Sequence, residues 1–428
     1  MFGFSKHERL FGIAAATASI LALTAAAAHA QSGKITLTFA NWASAEGATR
    51  PGIEKVIADF EAANPNIKIN SEAISFSEIA RQLVLRVRSG NPPDVAQVAG
   101  NDTILVATTG GVQPLDAYVG TEFKSMLKPD ALNGLEVDGK LIALPWNQAP
   151  GGLWYNKAIL KQAGLDPDNP PATIDALMEA MAAIKKSHPD VIPLGVDTTN
   201  RAFSMSSNWP WMRTFGAKPI GADATGATSK EMKAYLSWMR EIAQKGYIDP
   251  GRKIGEFRPL IAQGKVAFLW DQVLVQSVIQ STNKMSDADF YKTYGVTVMP
   301  AGPSGKPASF EGGHQLVMFA NSKNKDAAWA FMKYLATSPE AIRNYTVSYN
   351  ASLPPLANVT DASLRALLDT PIFNAYRDKI IPTLTPQPYG AKFAAAATAV
   401  MAGVQEAVTG TKPIDDIAQS IQEQLDRR

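Results

Sequence analysis

Apolar and polar residues alternate near the start of the chain in a way that predicts strands separated by helices. Positions 35–39 alternate as a strand does, whereas Ile53, Ile57 and Phe60 recur at helical spacing. The same alternation continues with a strand at 67–69, a helix with Ile79, Leu83 and Val87 on one face, and a strand at 94–98. Strand, helix, strand, helix, strand predicts a parallel sheet covered by helices.

Helical patterns dominate the middle of the chain, where Met232, Tyr235, Met239 and Ile242 form one apolar stripe. Further strands are predicted at 266–269, 296–299 and 316–319, and further helices at 327–335 and around Ile417, Ile421 and Leu425. No repeat of solenoid period interrupts this succession. The pattern therefore predicts an α/β protein.

The first thirty residues have the features of a secretory signal peptide. Lys6 and Arg9 give a positive start, and an apolar, alanine-rich stretch follows at 11–28. Ala28-His29-Ala30 supplies the small-x-small pattern of a cleavage site, so we predict cleavage before Gln31. A membrane anchor is the alternative, because a span needs about 20 apolar residues. The weakly hydrophobic alanines favour removal of residues 1–30 and export of the rest to the periplasm.

Composition removes several classes of function. The chain has no cysteine, which excludes disulfides, zinc–thiolate sites, thiol nucleophiles and a lipid-anchored amino terminus. Cleavage would leave only His188 and His314, which excludes a metal site built mainly from imidazoles, and no nucleophile motif lies near either. The net charge of +2, with no basic cluster, argues against nucleic acid as a partner. We expect no metal and no cofactor.

Several phrases occur in a fixed order over nearly all of the remaining chain. The longest runs from DGKLIALP at 138–145 through LWYNK at 153–157 to AGLD at 163–166. The others are FEAANPNIKI at 60–69, SGNPPDV at 89–95, GKVAF at 264–268, GG at 312–313 and GTK at 410–412. Together they resemble the extracellular solute-binding proteins for sugars and polyols, the maltose-binding-protein-like family that serves ABC importers.

The resemblance implies a two-lobed periplasmic-binding-protein fold of type II, in which each lobe is a mainly parallel sheet flanked by helices. We place the first lobe at 31–145 plus 302–350 and the second at 146–301 plus 351–428. The resemblance also implies hinge closure over a ligand and docking of the closed form on the permease subunits of the importer. We expect a monomer that binds a carbohydrate and that makes and breaks no covalent bond.

A carbohydrate site needs aromatic rings for the C–H faces of the sugar and polar side chains for its hydroxyl groups. Trp42 and Glu46 follow the first predicted strand, and Asn101 and Asp102 follow the third, where the ends of parallel strands face a cleft. Trp42 could instead pack at a helix start. Asn147 and Gln148 are predicted contacts at the crossing between lobes, and Trp146 is expected to pack the hinge.

The remaining site candidates fall in the second half of the chain. Trp209 and Trp211 are predicted to form a stacking surface in a loop, although either could cap the core. Trp270 and Asp271 are the strongest predicted pair, because an exposed strand end would need neither for folding. Gly313 would let a ligand approach closely, and His314 would hydrogen-bond to it. Tyr389 joins them because the resembling family often places a ligand residue there.

Two other readings of the same residues stay open. A carbohydrate-active enzyme, a lyase or a glycosidase, would also use an aromatic cleft with two carboxyl groups, such as Glu46 and Asp271. A monosaccharide, a polyol or a phosphorylated polyol could replace the preferred di- or oligosaccharide as ligand. An anionic ligand should have a cation near the cleft, and among the favoured segments only Arg201 and Arg213 flank one.

Overall fold

The computed structural model describes residues 34–129, 131–132, 134–390 and 392–427. The predicted signal peptide and its cleavage site before Gln31 lie outside the described residues. Within these ranges, no helix is both long enough and apolar enough to cross a membrane.

The described elements alternate strands and helices from the first strand onward. The strands are β1 (Ile35–Asn41), β2 (Ile67–Ala73), β3 (Val95–Ala99), β4 (Glu136–Val137), β5 (Lys140–Leu141), β6 (Leu144–Gln148), β7 (Gly151–Asn156), β8 (Ile192–Gly195), β9 (Val266–Gln272), β10 (Tyr294–Thr297), β11 (Ser309–Phe310), β12 (Gly313–Met318) and β13 (Leu384–Thr385).

The helices pack on both faces of the sheets. They are α1 (Arg50–Ala63), α2 (Phe76–Arg88), α3 (Asn101–Ala107), α4 (Thr121–Met126), α5 (Lys157–Gln162), α6 (Ile174–Ser187), α7 (Ala202–Thr214), α8 (Lys230–Gln244), α9 (Ile254–Ala262), α10 (Val275–Asn283), α11 (Asp287–Thr293), α12 (Lys325–Thr337), α13 (Pro339–Ala341), α14 (Ala362–Leu368), α15 (Pro371–Ala375), α16 (Phe393–Thr409) and α17 (Ile414–Asp426). Helix α13 continues as a π-helix at Ile342–Val347, and α15 continues as a π-helix at Tyr376–Ile380 and a 3₁₀ turn at Ile381–Thr383.

Two main sheets form the two lobes. The first sheet has the strand order β2-β1-β3-β12-β6, and the second has the order β10-β7-β9-β8. Strands β1, β2 and β3 are parallel, as predicted, and β12 is antiparallel to both of its neighbours. The carboxyl ends of β1, β3 and β6 and the start of β12 therefore meet at one edge, which we call the first-lobe edge.

Two chain segments cross between the lobes side by side. The Ala149 N–H donates to the Gly312 carbonyl at 2.7 Å, and the Gln272 side-chain amide donates to the Ala149 carbonyl at 2.8 Å. A Cβ on Gly312 would lie 2.5 Å from the Ala149 oxygen, so only glycine allows this close approach. We call residues 149–150 and 311–312 the hinge.

Sheet pairing supports lobe boundaries slightly different from the predicted ones, which stay a prediction. A division after residue 145 cuts through β6, whose residues 144–148 pair with β12 of the first sheet. The segment before β12 contacts the second lobe, because Ala301 accepts from Ile174 and Ser304 donates to Thr214. Leu353 pairs with Gln148, so the first-lobe contacts extend beyond residue 350. We propose that the chain first crosses between the lobes at residues 149–150 and crosses back at residues 311–312.

Candidate functional site

His314 lies at the centre of the first-lobe edge, where a register shift between His314 and Gln315 interrupts the pairing of β12 with β6. Asn147, opposite it on β6, accepts the His314 backbone N–H through Oδ1 at 3.1 Å. Its Nδ2 donates to the His314 Nδ1 at 3.2 Å, and the Gln97 Nε2 donates to the same atom at 3.1 Å. The bulge and these bonds fix the orientation of the imidazole ring.

These hydrogen bonds also fix the protonation of His314. Two amide N–H groups aimed at Nδ1 require it to be an acceptor, so the proton of the neutral ring sits on Nε2. Burial lowers the pKa of His314 to about 4, and the residue as a whole is partly exposed. The ring is therefore neutral at pH 7. Its Nε2–H is a donor that the hydrogen bonds found among the described residues leave for another group.

Gln97 is a site residue that the sequence analysis missed. It is fully buried on β3, and its Oε1 accepts the backbone N–H groups of Trp42 and Ala43 at 3.2 Å each. Gln97 thereby ties the loop after β1 to His314. Its position in the apolar strand at 94–98 was a usable signal, because a buried amide needs partners for all of its polar atoms.

Aromatic rings extend the first-lobe edge to both sides of His314. Trp42 packs edge-to-face on His314 with ring centroids 4.9 Å apart, and Phe76 packs on Trp42 at 5.2 Å. On the other side Trp146 is fully buried and stacks on Tyr345 at 4.7 Å, which agrees with its expected role in packing. Trp42 is only 3% exposed and therefore supports His314 by packing, as the alternative interpretation held, whereas Phe76 is 39% exposed and keeps open ring surface.

Glu46 extends from the first lobe toward Arg258 on α9 of the second. More than a third of its surface is accessible, yet it lies among enough protein atoms that burial raises the pKa of its carboxyl, an effect that the nearby Arg258 charge partly offsets. The Arg258 guanidinium is paired with Asp271 by bonds of 2.7 and 3.0 Å. Its charge is therefore balanced before any ligand arrives.

A second contact between the lobes brings Asn101 and Asp102 to Tyr389. The Asn101 Oδ1 accepts the Gly390 N–H at 3.1 Å, and the Tyr389 hydroxyl lies above Gly100, where a Cβ would be 3.0 Å from it. Gly100 also has a φ of +52°, which favours glycine. Burial raises the pKa of Asp102 to about 6. These three predicted site residues are thus brought together across the cleft.

The structure overturns the reason given for the strongest predicted pair. Strand β9 continues to Gln272, so Trp270 and Asp271 lie inside it, and each is only 1% exposed. The Trp270 ring packs against Gly151 and Phe310. The Asp271 backbone carbonyl accepts from Trp154 and Tyr376, while its carboxylate holds Arg258. Both residues therefore serve folding, and we do not propose them as ligand contacts.

Trp209 and Trp211 lie on helix α7 and not in the predicted loop, and Pro210 is accommodated inside that helix. Trp211 is fully buried and packs on Trp238 at 5.3 Å, so it belongs to the core. Trp209 is 4% exposed beneath the Arg213 guanidinium, which lies 5.6 Å from its ring, and its buried Nε1 has no partner. Neither indole forms the exposed stacking surface that was expected.

Two further candidates belong to the hinge region. The Gln148 Oε1 accepts from Lys128 at 2.8 Å, and its backbone exchanges both hydrogen bonds with Leu353. A Cβ on Gly313 would lie 2.3 Å from the Asn147 carbonyl oxygen, so the approach of β6 explains this glycine. The expectation that Gly313 makes room for a ligand is replaced by this packing reason.

The described residues hold no metal-ligand cluster, and two other candidate side chains are bonded within the protein. Over the part of the chain that the structure describes, no three His, Asp or Glu side chains are grouped so that they could hold a metal ion. His188, the other predicted mature histidine, bonds to Ser187 and Gln162 at the end of α6. Arg201 is bonded to the buried Asp197 at 2.8 Å.

Comparisons with known proteins agree with this architecture. A family model described as bacterial extracellular solute-binding protein matches residues 44–342. A binding protein of Brucella abortus strain 2308 is 28% identical over 324 residues, which cover 74% of this chain and 75% of that protein. The sn-glycerol-3-phosphate-binding periplasmic protein of Rhizobium meliloti strain 1021 is 24% identical over 304 residues, 67% of each chain.

Solved structures show the same fold at low sequence identity. An ABC transporter solute-binding protein of Thermotoga lettingae bound to α-D-tagatose has a TM-score of 0.77 and 22% identity, covering 92% of this chain and 99% of that one. The GacH receptor of Streptomyces glaucescens, solved with and without acarbose, has a TM-score of 0.79 and 19% identity, covering 92% and 97%. These likenesses confirm the predicted two-lobed fold.

Proposed function

We propose that this chain, which belongs to the bacterial extracellular solute-binding protein family, binds a neutral carbohydrate between its lobes and delivers it to an ABC importer. The family and its structural neighbours are binding proteins, which confirms that the chain is not an enzyme and removes the lyase and glycosidase readings. A di- or short oligosaccharide is the preferred ligand class. Periplasmic location, release by signal cleavage, a monomeric state and docking on permease subunits are parts of the same proposal.

The arrangement around His314 is the observation that carries the proposal. A neutral imidazole offers its Nε2–H, the buried Trp42 ring supports it, and the partly exposed Phe76 ring packs next to Trp42. Glu46 and Asp102 add carboxyl oxygens that can accept from sugar hydroxyl groups. This combination matches a ligand with both apolar C–H faces and paired hydroxyl groups.

The charges of the cleft favour a neutral ligand over a phosphorylated polyol. Glu46 and Asp102 are acidic, and burial raises the pKa of both, so further negative charge beside them is unfavourable. Arg258 faces the same cleft, but Asp271 already holds it through two hydrogen bonds. A phosphate group would have to compete with that buried carboxylate for the guanidinium.

Closure would work by population shift. Ligand contacts on both lobes favour the state in which Asn101 meets Gly390 and Glu46 approaches Arg258. The permease would then recognise the closed form.

The first experiment is a thermal-shift and calorimetric screen of the chain from Gln31 to Arg428. The panel contains maltose, maltotriose, mannotriose, tagatose, acarbose and sn-glycerol 3-phosphate. A ligand that binds only the folded state at 100 times its Kd adds about 2.7 kcal/mol of stability and raises the melting temperature. A shift with a sugar recovered unchanged supports the proposal. A shift with sn-glycerol 3-phosphate alone would replace the neutral carbohydrate with a phosphorylated polyol as the ligand. The absence of a shift with every member of the panel would contradict the proposed ligand class.

Paired histidine variants locate the binding. His314→Ala should weaken the affinity for the bound sugar at least about tenfold, because it removes a donor that the cleft holds ready. His188→Ala is the matched control, since that ring lies at the end of α6. Equal affinities in the two variants would place the ligand elsewhere.

A further inference from the structure

A row of aromatic rings runs from the first-lobe edge onto the second lobe. His314, Trp42 and Phe76 pack edge-to-face in succession, and Phe76 in turn packs edge-to-face on Phe203 of α7 at 6.1 Å. The first three rings belong to the first lobe. Phe203 belongs to the second, so the last contact exists only when the lobes are together.

Phe76 stands at the side of the cleft that faces away from the hinge. It is the first residue of α2, which follows β2, and β2 and β6 are the two outer strands of the first sheet. The hinge follows β6 directly. We call the side marked by Phe76 the mouth of the cleft.

The Phe76 ring is not needed to fill the core of its own lobe. It remains 39% exposed, even in contact with Trp42 and Phe203. A partly exposed apolar ring at the start of a helix is stabilised by a partner that covers it. Phe203 on the opposite lobe is that partner.

The segment before Phe203 holds it in place. The buried Asp197 carboxylate accepts from the Thr199 N–H at 2.9 Å, from Arg201 at 2.8 Å and from the Ile254 N–H at 3.2 Å. These bonds anchor the start of α7 to the start of α9. The Phe203 ring is therefore presented to the first lobe from a fixed support.

We propose that Phe76 and Phe203 form a gate that closes the mouth of the cleft and limits how far a saccharide can extend past Trp42. The limit on ligand length rests on the proposed function, whereas the closing contact does not. Each ring favours the closed state, because its partner is within reach only there. A sugar chain that passes Trp42 toward the mouth has to separate the two rings.

The closing contact is tested without any ligand. Because the chain has no cysteine, spin labels can be attached at Lys68→Cys on the first lobe and Lys230→Cys on the second. Phe203→Ala and Phe76→Ala should each lower the closed fraction about two- to tenfold, the range expected for an edge-to-face ring pair. The double variant should lower it no further than either single variant. Unchanged distance distributions would overturn the gate.

Two controls separate the gate from general loss of structure. Leu85→Ala changes a residue that is 50% exposed on the same helix as Phe76 and should leave the distances unchanged. Phe203→Leu keeps an apolar side chain and should restore part of the closed fraction. A fall in the closed fraction that Leu85→Ala reproduces would also count against the gate.

The limit on length is tested with glucose, maltose, maltotriose and maltotetraose. In the unmodified protein the affinity should fall at least about tenfold once the chain passes the Trp42 ring, and Phe203→Ala should remove most of that fall. The same dependence on length in both proteins would overturn this part of the proposal. If no saccharide binds, the proposed function fails, and the label distances alone decide the closing contact.

Discussion

Each lobe carries a tryptophan and a carboxylate near strand ends. The first lobe has Trp42 and Asp102, and the second has Trp270 and Asp271. In the first lobe, Trp42 lies beyond the last residue of β1 and contacts His314. In the second lobe, β9 runs on through Trp270 and Asp271, which pair with Leu153 and Gly152 of β7. Both indoles are buried, at 3% and 1% exposed, but Trp42 packs on His314 at the first-lobe edge, whereas Trp270 packs on Gly151 and Phe310.

The difference depends on where a strand ends. A tryptophan one residue past the strand enters a loop at the sheet edge, whereas one inside a central strand is covered by helices on its face. Asp271 follows the same rule, since its carboxylate is buried and needs Arg258 as a partner. Proximity to a strand end is thus a weak criterion for a ligand contact unless the end itself is known.

Trp270→Ala is the strongest test of this contrast. Removing a fully buried indole should lower the free energy of unfolding by about 3–5 kcal/mol, since it deletes apolar contacts and leaves a cavity beside Gly151 and Phe310. Urea denaturation followed by circular dichroism measures the loss. Trp270→Phe retains part of the ring and should cost less. Wild-type stability with impaired sugar binding would return Trp270 to the cleft.

The fold could be predicted from the sequence because it depends on the spacing of apolar residues, which recurs in each helix and each strand. The strands predicted at 35–39, 67–69 and 94–98 overlap β1, β2 and β3, and the helix stripes between them fall inside α1 and α2. The apolar run at 266–269 predicted β9, but the predicted strand stopped before Trp270, whereas β9 continues to Gln272. Element ends depend on packing partners that local sequence does not contain.

The candidate site could be predicted in part from residues that follow a strand and in part from the crossing between lobes. Trp42, Asn101 and Asp102 were predicted because each follows a strand, whereas Asn147 was predicted from the crossing and His314 from the glycine pair before it. The structure groups Trp42 and Asn147 around His314, and it pairs Asn101 with Gly390. Arg258, Tyr345 and Phe203 gave no local signal, because their roles come from residues distant in the chain. The serine-rich segment before Trp209 resembled a loop, yet α7 forms because its apolar residues pack against α16.

Substitutions of the two carboxylates should change the free energy of unfolding in opposite directions. Asp271→Asn should lower the free energy of unfolding by up to about 3 kcal/mol, because it leaves Arg258 without its ion pair; the 24% exposure of that side chain lets water offset part of the loss. Asp102→Asn should raise it by about 1–2 kcal/mol at pH 8, because the wild-type carboxyl is ionised there despite burial.

The sign of the Asp102 effect follows from its pKa. A carboxyl whose pKa is raised to about 6 in the folded state takes up its proton at a higher pH than in the unfolded chain. The cost of its charge is therefore full above about pH 6 and disappears as the pH falls toward 4. Urea denaturation at pH 8 and pH 5 should show the advantage of Asp102→Asn shrinking. An advantage that is equal at both values would mean that Asp102 is not buried as an ionised group.

Titration of His314 has no effect on stability at pH 7 and gives the opposite dependence on pH. Its folded-state pKa of about 4 lies below the ordinary value of 6.5, so between these values the unfolded chain binds a proton that the folded protein does not. The free energy of unfolding should then fall with decreasing pH, by at most about 1.4 kcal/mol per pH unit, while nothing is lost at pH 7. His314→Gln has no titrating side chain at this position, so its free energy of unfolding should not show this fall between pH 6.5 and 4. Parallel curves for the two proteins would mean that the folded protein takes up the proton as readily as the unfolded chain, and the assignment of Nδ1 as the acceptor of two amide N–H groups would have to be given up.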